Sequence, residues 1–109
     1  MKIRPGEVWL ADLGLSAKSR PVVLVSRYDA DPPRSLAIYV PLTTQNRNSA
    51  YEVELPALSF LHQKSVANVQ GLGSLPSVRL ERKIGVLPGK VMKQLKEALM
   101  YALDLQQME

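Results

Sequence analysis

A chain of 109 residues with 46% apolar and 22% charged side chains has the size and balance of one globular domain, able to bury a core without staples. It has no cysteine, which excludes disulfides and thiolate metal sites, and its single histidine, His62, has no carboxylate pair at ligand spacing, so neither metal nor cofactor is expected. The net charge of +4 favours a polyanionic partner, although the six cations from Arg79 to Lys96 also suit a solvated helix face.

Residues 1–7 carry charge at Lys2, Arg4 and Glu7, and the apolar run Val8–Ala11 that follows is too short for a signal peptide. No run approaches the length of a bilayer span. A cytoplasmic protein, a single domain over 1–109 and no membrane contact are therefore expected.

Val8–Ala11 reads as a first strand, ended by the turn residues Asp12-Leu13-Gly14. Arg20–Ser26 is a second, and its unbroken Val and Leu run predicts burial on both faces. Pro32 and Pro33 make the next stretch a loop, and Leu36–Thr43 is a third strand, with Pro41 expected at an edge or bulge. A polar connection, Gln45–Ser49, leads to Tyr51–Leu55, whose alternation points Tyr51, Val53 and Leu55 inward and Glu52 and Glu54 outward.

Ser65–Asn68 and Val69–Leu75 are expected as two further strands, bent at Gly71 and Gly73. A helical turn over Ser77–Lys83 then precedes Ile84-Gly85-Val86. The last element is an amphipathic helix from Pro88, with Val91, Leu95, Ala98, Leu99, Ala102 and Leu105 on one stripe. Several short strands without a long crossover make the fold mainly β, a small closed barrel or paired twisted sheets with a C-terminal α-helix.

No phosphate-binding glycine loop or nucleophile elbow occurs in the sequence. What remains is Arg20 at the mouth of one apolar strand and Thr43 at the end of the next. A planar, permanently charged guanidinium suits phosphate oxygens as an electrostatic clamp. RNA brings its own nucleophile, the 2′-OH, so a protein need only align that oxygen with phosphorus and neutralise the phosphorane. Thr43 would hydrogen-bond the phosphate or orient the 2′-OH. The plainer alternatives are an Arg20 paired with a carboxylate such as Asp12, and a Thr43 that is only a good strand residue.

The series Gly6–Asp12, Arg20–Val25, Val40–Thr43, Glu52-Val53, Ser65-Val66, Arg79-Leu80 and Ile84-Gly85 resembles the MazF/PemK toxin family over nearly the whole chain. The resemblance implies an SH3-like barrel, a homodimer and a sequence-selective, metal-independent endoribonuclease acting on single-stranded RNA and held in check by a cognate antitoxin. It also implies that Arg20 and Thr43 match the family's catalytic arginine and hydroxyl. An antitoxin fitting a basic groove should be acidic and extended.

Lys18, Ser19, Arg27, Gln45 and Arg47 are candidate RNA contacts, the alternative for each being a solvated loop. Asn68, Gln70 and Gly73 stand where the family often carries Arg, an acid and a second Arg. Asn68 and Gln70 can hydrogen-bond RNA but cannot act as general acid or base. The connection Gly14–Ser19 lacks the Gly/Glu/Gln-rich composition of a substrate lid. Two other readings remain: a non-catalytic SH3-like RNA- or protein-binding module, and a CcdB-like gyrase poison, which would carry a C-terminal tryptophan where this chain has only Trp9.

Overall fold

The computed structural model describes residues 2–14 and 18–105, so most of the Gly14–Ser19 connection lies outside the described residues. Seven strands and one helix follow in order: β1 Glu7–Asp12, β2 Ser19–Leu24, β3 Leu36–Thr43, β4 Glu52–Glu54, β5 Val66–Asn68, β6 Gly73–Pro76, β7 Leu80–Val86 and α1 Gly89–Ala102. Every pairing is antiparallel, and the ladder runs β4-β5-β3-β2-β1-β7 with β6 also on β3. The architecture is thus mainly β with a C-terminal helix, as the pattern predicts, and takes the form of two sheets sharing β3.

The unbroken apolar run of β2 has a direct cause. Val22 and Leu24 belong to one core cluster with Ala11, Ala37, Leu75 and Leu80, whereas Val23 belongs to the other, with Val8, Val40 and Leu42. All three side chains are fully buried because the strand has core on both faces. The larger cluster is closed by α1 through Val91, Leu95 and Ala98.

Several sequence-based expectations shift. β3 is central rather than an edge, and Pro41 is accommodated where its outer partner changes. β6 pairs as far as Tyr39 and β5 begins at Leu42, so a missing N–H at Pro41 falls between two ladders. The strand expected over Val69–Leu75 is split. Val69–Gly71 is a 3-10 turn capped by Asn68, whose Oδ1 accepts the Gln70 N–H at 3.1 Å, and the strand resumes only at Gly73. Gly71 is required there, because a Cβ would lie 2.5 Å from Cγ of Pro41.

The helical turn after Ser77 is shorter than expected and stops at Arg79, leaving Leu80–Lys83 in β7, where Ala11, Leu10 and Trp9 pair with Leu80, Arg82 and Lys83. Leu105 leaves the helical stripe altogether. The helix closes in a Schellman motif with Asp104 at φ 55°, the Leu105 N–H reaching the Met100 carbonyl at 2.8 Å and the Asp104 N–H the Tyr101 carbonyl at 3.2 Å. Leu105 is left exposed. No helix among the described residues is long and apolar enough to cross a membrane.

Candidate functional site

The β2–β3 register pairs Val22 with Pro41 and Leu24 with Tyr39. That ladder ends at Val22 and Pro41: Arg20 pairs onward with Ala11 of β1 and Thr43 with Val66 of β5, so the two stand on neighbouring strands just past the end of their shared ladder. The β3–β5 and β4–β5 registers define a polar face. Thr43 pairs with Val66, and two residues along β5 Asn68 pairs with Glu52. The intervening residues Leu42, Ala67 and Val53 point the other way, into the larger core cluster. One side of this corner is therefore apolar and buried, and the other presents Thr43, Asn68 and Glu52.

A cleft of about 400 Å³ opens on the polar side, with Thr43, Asn68 and Gln70 along one wall and Gln45, Arg47 and Ser49 along the other. Five of the predicted site residues, Thr43, Gln45, Arg47, Asn68 and Gln70, thus meet in one place. Tyr51 and Glu52 complete the lining. Sequence reasoning did not assign them to a site: Tyr51 reads as core and Glu52 as a solvated outward residue. Only the pairing of β4 with β5 reveals that the outward face of β4 is the floor of a cleft.

The wall that carries Gln45 and Arg47 is pinned by carboxylates. Glu52 accepts the Arg47 N–H at 3.0 Å, the Ser49 N–H at 3.1 Å and the Ser49 hydroxyl at 2.8 Å. Glu54 accepts the Asn46 side-chain amide at 2.9 Å, and Asn46 in turn accepts the Asn48 N–H at 2.8 Å while Asn48 sits at φ 55°. The Arg47 backbone N–H, followed by the Ser49 hydroxyl, holds the Glu52 carboxyl below the usual carboxylate range. Ionised and occupied by the loop, Glu52 is a fastener rather than a free base.

Thr43 Oγ1 accepts the Gln45 N–H at 3.2 Å. A hydroxyl in that role keeps its own proton for donation toward the cleft. Arg20 is exposed and has no ion-pair partner among the described residues. The alternative pairing with Asp12 does not form, because Asp12 lies opposite Ser19 on the other face of the sheet and its Oδ1 accepts the Gly14 N–H at 2.8 Å. Ser19 itself points away from the cleft and donates to Glu81. Lys18 is exposed just ahead of β2. Arg27 stands beyond the far end of β2, beside Arg4 and Tyr28, and is not brought to the cleft. His62 lies in a separate groove between the 56–64 segment and α1.

A model of the PemK-like, MazF-like toxins of type II toxin-antitoxin systems matches residues 4–103. The chain belongs to this family. Among relatives, it is 34% identical over 88 residues to endoribonuclease MazF3 of Mycobacterium tuberculosis, a match covering 81% of this chain and 85% of that protein. It is 33% identical over 100 residues to the probable endoribonuclease MazF5 of the same organism, covering 91% of each. The solved structure of the M. tuberculosis toxin MazF-mt6 superposes with a TM-score of 0.81 at 33% identity, covering 95% of this chain and 100% of that one. A MazE-MazF complex from Deinococcus radiodurans, at 20% identity, shares the fold with a TM-score of 0.82 over 97% of this chain and 99% of that one. The expected family and fold class are thus established, and the two sequence relatives, MazF3 and MazF5, are named as an endoribonuclease and a probable endoribonuclease, the activity class that the resemblance implies.

Proposed function

We propose that this protein is an endoribonuclease toxin that cleaves single-stranded RNA by attack of the 2′-OH on the adjacent phosphorus, without a metal ion. The observation that carries this reading is the polar cleft that gathers Thr43, Gln45, Arg47, Asn68 and Gln70, with the exposed and unpaired Arg20 on the neighbouring strand β2. The 2′-oxygen bonds to phosphorus as the bond to the 5′-oxygen breaks. A 2′,3′-cyclic phosphate and a 5′-hydroxyl result, with water taking the proton from one oxygen and supplying it to the other. Arg20 donates to the phosphorane oxygens, where an unpaired guanidinium aimed at developing charge has its largest effect. Thr43 donates its free proton to the phosphate and fixes the attacking geometry.

Gln45, Arg47, Asn68 and Gln70 hold the flanking nucleotides and supply the sequence preference. The neutral Asn68 and Gln70 carry no proton transfer, so the reaction runs mainly on alignment and charge, and a missing acid or base slows it by about 100- to 10,000-fold. A cognate antitoxin with an acidic, extended segment would cover the same cleft, in keeping with the type II toxin-antitoxin family to which the chain belongs. Exposed apolar side chains at Met100, Tyr101 and Leu103 support assembly as a homodimer.

The test is RNA of mixed sequence incubated with purified protein in EDTA. Cleavage leaving cyclic phosphate ends, reduced about 100- to 1,000-fold by Arg20→Ala, is the expected result. Cleavage by Arg20→Ala within about tenfold of the wild type removes Arg20 from the mechanism. The neutrality of Asn68 and Gln70 favours one second reading, a module that binds RNA without cutting it. Salt-sensitive binding with no product in the same assay would establish that reading instead.

A further inference from the structure

The cleft carries little net charge. Its lining holds one cation, Arg47, and one carboxylate, Glu52, yet the chain as a whole is at +4. The unbalanced cations therefore lie elsewhere, and one group of them is organised. A separate open concavity is lined by Arg4, Arg27, Lys96, Tyr28, Pro5 and Val25, none of them acidic. The three cations come from three different segments: the N-terminal strip, the chain after β2, and α1.

Their convergence follows from the packing. The Gly6 N–H bonds the Leu24 carbonyl at 2.8 Å, laying the N-terminal strip along the end of β2. Gly6 has φ 92°, and a Cβ there would lie 3.4 Å from Cγ of Met92, so α1 packs directly on this strip. Lys96, one turn beyond Met92, then stands beside Arg4 and Pro5. The Arg4 guanidinium stacks over the Tyr28 ring at 4.2 Å from its centroid, which leaves its in-plane N–H donors free.

Neighbouring acids form no ion pair with the group among the described residues. Glu7 is turned inward, bound to Lys83 at 3.2 Å, to the Trp9 indole at 3.1 Å and to the Arg4 backbone N–H at 3.2 Å. Asp29 lines the adjoining clefts with Arg27, and its Oδ1 accepts the Asp31 N–H at 2.9 Å. Among the described residues, Arg4, Arg27 and Lys96 have no ion-pair partner.

We propose that this concavity is a second RNA-binding site, in which Arg4, Arg27 and Lys96 take phosphates and the Tyr28–Arg4 stack supports a base. Cations with an aromatic platform and no carboxylate are the combination that holds single-stranded nucleic acid without reading its sequence. Arg27 lies seven residues along the chain from Arg20, and the site shares no lining residue with the cleft. It engages only RNA that extends well past the cleft. The inference rests on the proposed ribonuclease reading for its substrate, but its test does not depend on cleavage.

Binding is measured in the Arg20→Ala background, so that RNA is not consumed, using a short polyuridylate that fits only the cleft and a long one that extends beyond it. Arg4→Gln with Lys96→Gln should lower affinity for the long RNA by about 5- to 10-fold. The slope of log affinity against log salt should fall by about 1 to 1.5, as expected for two lost phosphate contacts on a single strand. Affinity for the short RNA should stay within about twofold, and Arg4→Lys with Lys96→Arg should restore the long-RNA value. Unchanged long-RNA affinity in a variant with unaltered melting overturns the proposal. So does loss of polyglutamate binding with RNA binding intact, which would assign the site to an acidic polypeptide. Patch-dependent binding together with a wild type that does not cut RNA in EDTA would refute the ribonuclease reading and leave this inference standing.

Discussion

The two ends of β2 solve the problem of meeting an anion in opposite ways. Near the Arg20 end the cleft is neutral in sum, and position is the resource: carboxylates of Glu52 and Glu54 pin a polar loop beside Thr43, and β2 carries Arg20 on the neighbouring strand. At the Arg27 end there is excess charge and little fixing, with three unpaired cations around one tyrosine. Geometry selects among transition states, because only donors already in place stabilise charge as it develops. Bare charge selects among substrates by length and salt, and does so weakly per contact. A site that does chemistry is expected at the first end, and a site that only holds at the second.

The strongest way to break this comparison is Arg20→Ala, which should reduce RNA cleavage by about 100- to 1,000-fold, or roughly 3–4 kcal/mol of transition-state stabilisation. Melting should be unchanged, since the side chain is exposed. A loss of less than tenfold in single-turnover cleavage would put the electrostatic demand elsewhere.

Next in size is Gly71→Ala. The new Cβ meets the Pro41 ring, and relieving that contact should cost about 1–3 kcal/mol of stability. The same shift displaces the Asn68–Gln70 wall, so cleavage should fall beyond what the lower melting temperature explains. Circular dichroism melting paired with cleavage well below the transition separates the two effects.

Glu7→Gln probes the rigid side of the molecule. Burial pushes the Glu7 carboxyl upward, but the Trp9 indole, the Arg4 backbone N–H and Lys83 together outweigh burial and hold it below the usual carboxylate range. A depressed folded-state value means the stability contributed by Glu7 is present above the unfolded carboxylate range and is lost as pH falls through the folded value. The variant should be about 1 kcal/mol less stable than the wild type at neutral pH. Denaturant titrations at falling pH should show that gap closing, and a gap that widens in acid would contradict the assignment.

The smallest effect is expected from Glu52→Gln, which weakens the loop without touching Arg20. A few-fold rise in KM with little change in kcat is anticipated, because the loop orients substrate and takes no part in proton transfer. Glu52 is likewise depressed, so wild-type substrate affinity should hold above the carboxylate range and weaken as acid protonates Glu52. Insensitivity of KM to both the substitution and acid would mean that the loop is held by its own turns.

Much of the fold is legible along the chain. The bounds of β3 follow from its apolar run and flanking prolines, and the start of α1 from Pro88 and its stripe. Errors concentrate where a distant partner decides the outcome. Pro41 reads as an edge signal, yet a central strand tolerates it because two partner strands meet there. Val69–Gly71 reads as extended, yet it curls because Asn68 caps it and the Pro41 ring lies against it. In the site, Arg20 and Thr43 stand out as charge and hydroxyl at strand ends. Tyr51 and Glu52 do not, since their alternation looks like that of any half-buried strand.

The sequence by itself determined the elements and their faces, because side-chain period and turn chemistry are local properties of the chain. It also determined the family, through short motifs kept in order over most of its length. Only the tertiary structure decided which outward faces meet. The cleft exists because β5 pairs with both β3 and β4, and the basic concavity exists because α1 packs its Met92 onto Gly6. Long-range pairing is set by the total burial of both core clusters, and no window of sequence contains that sum.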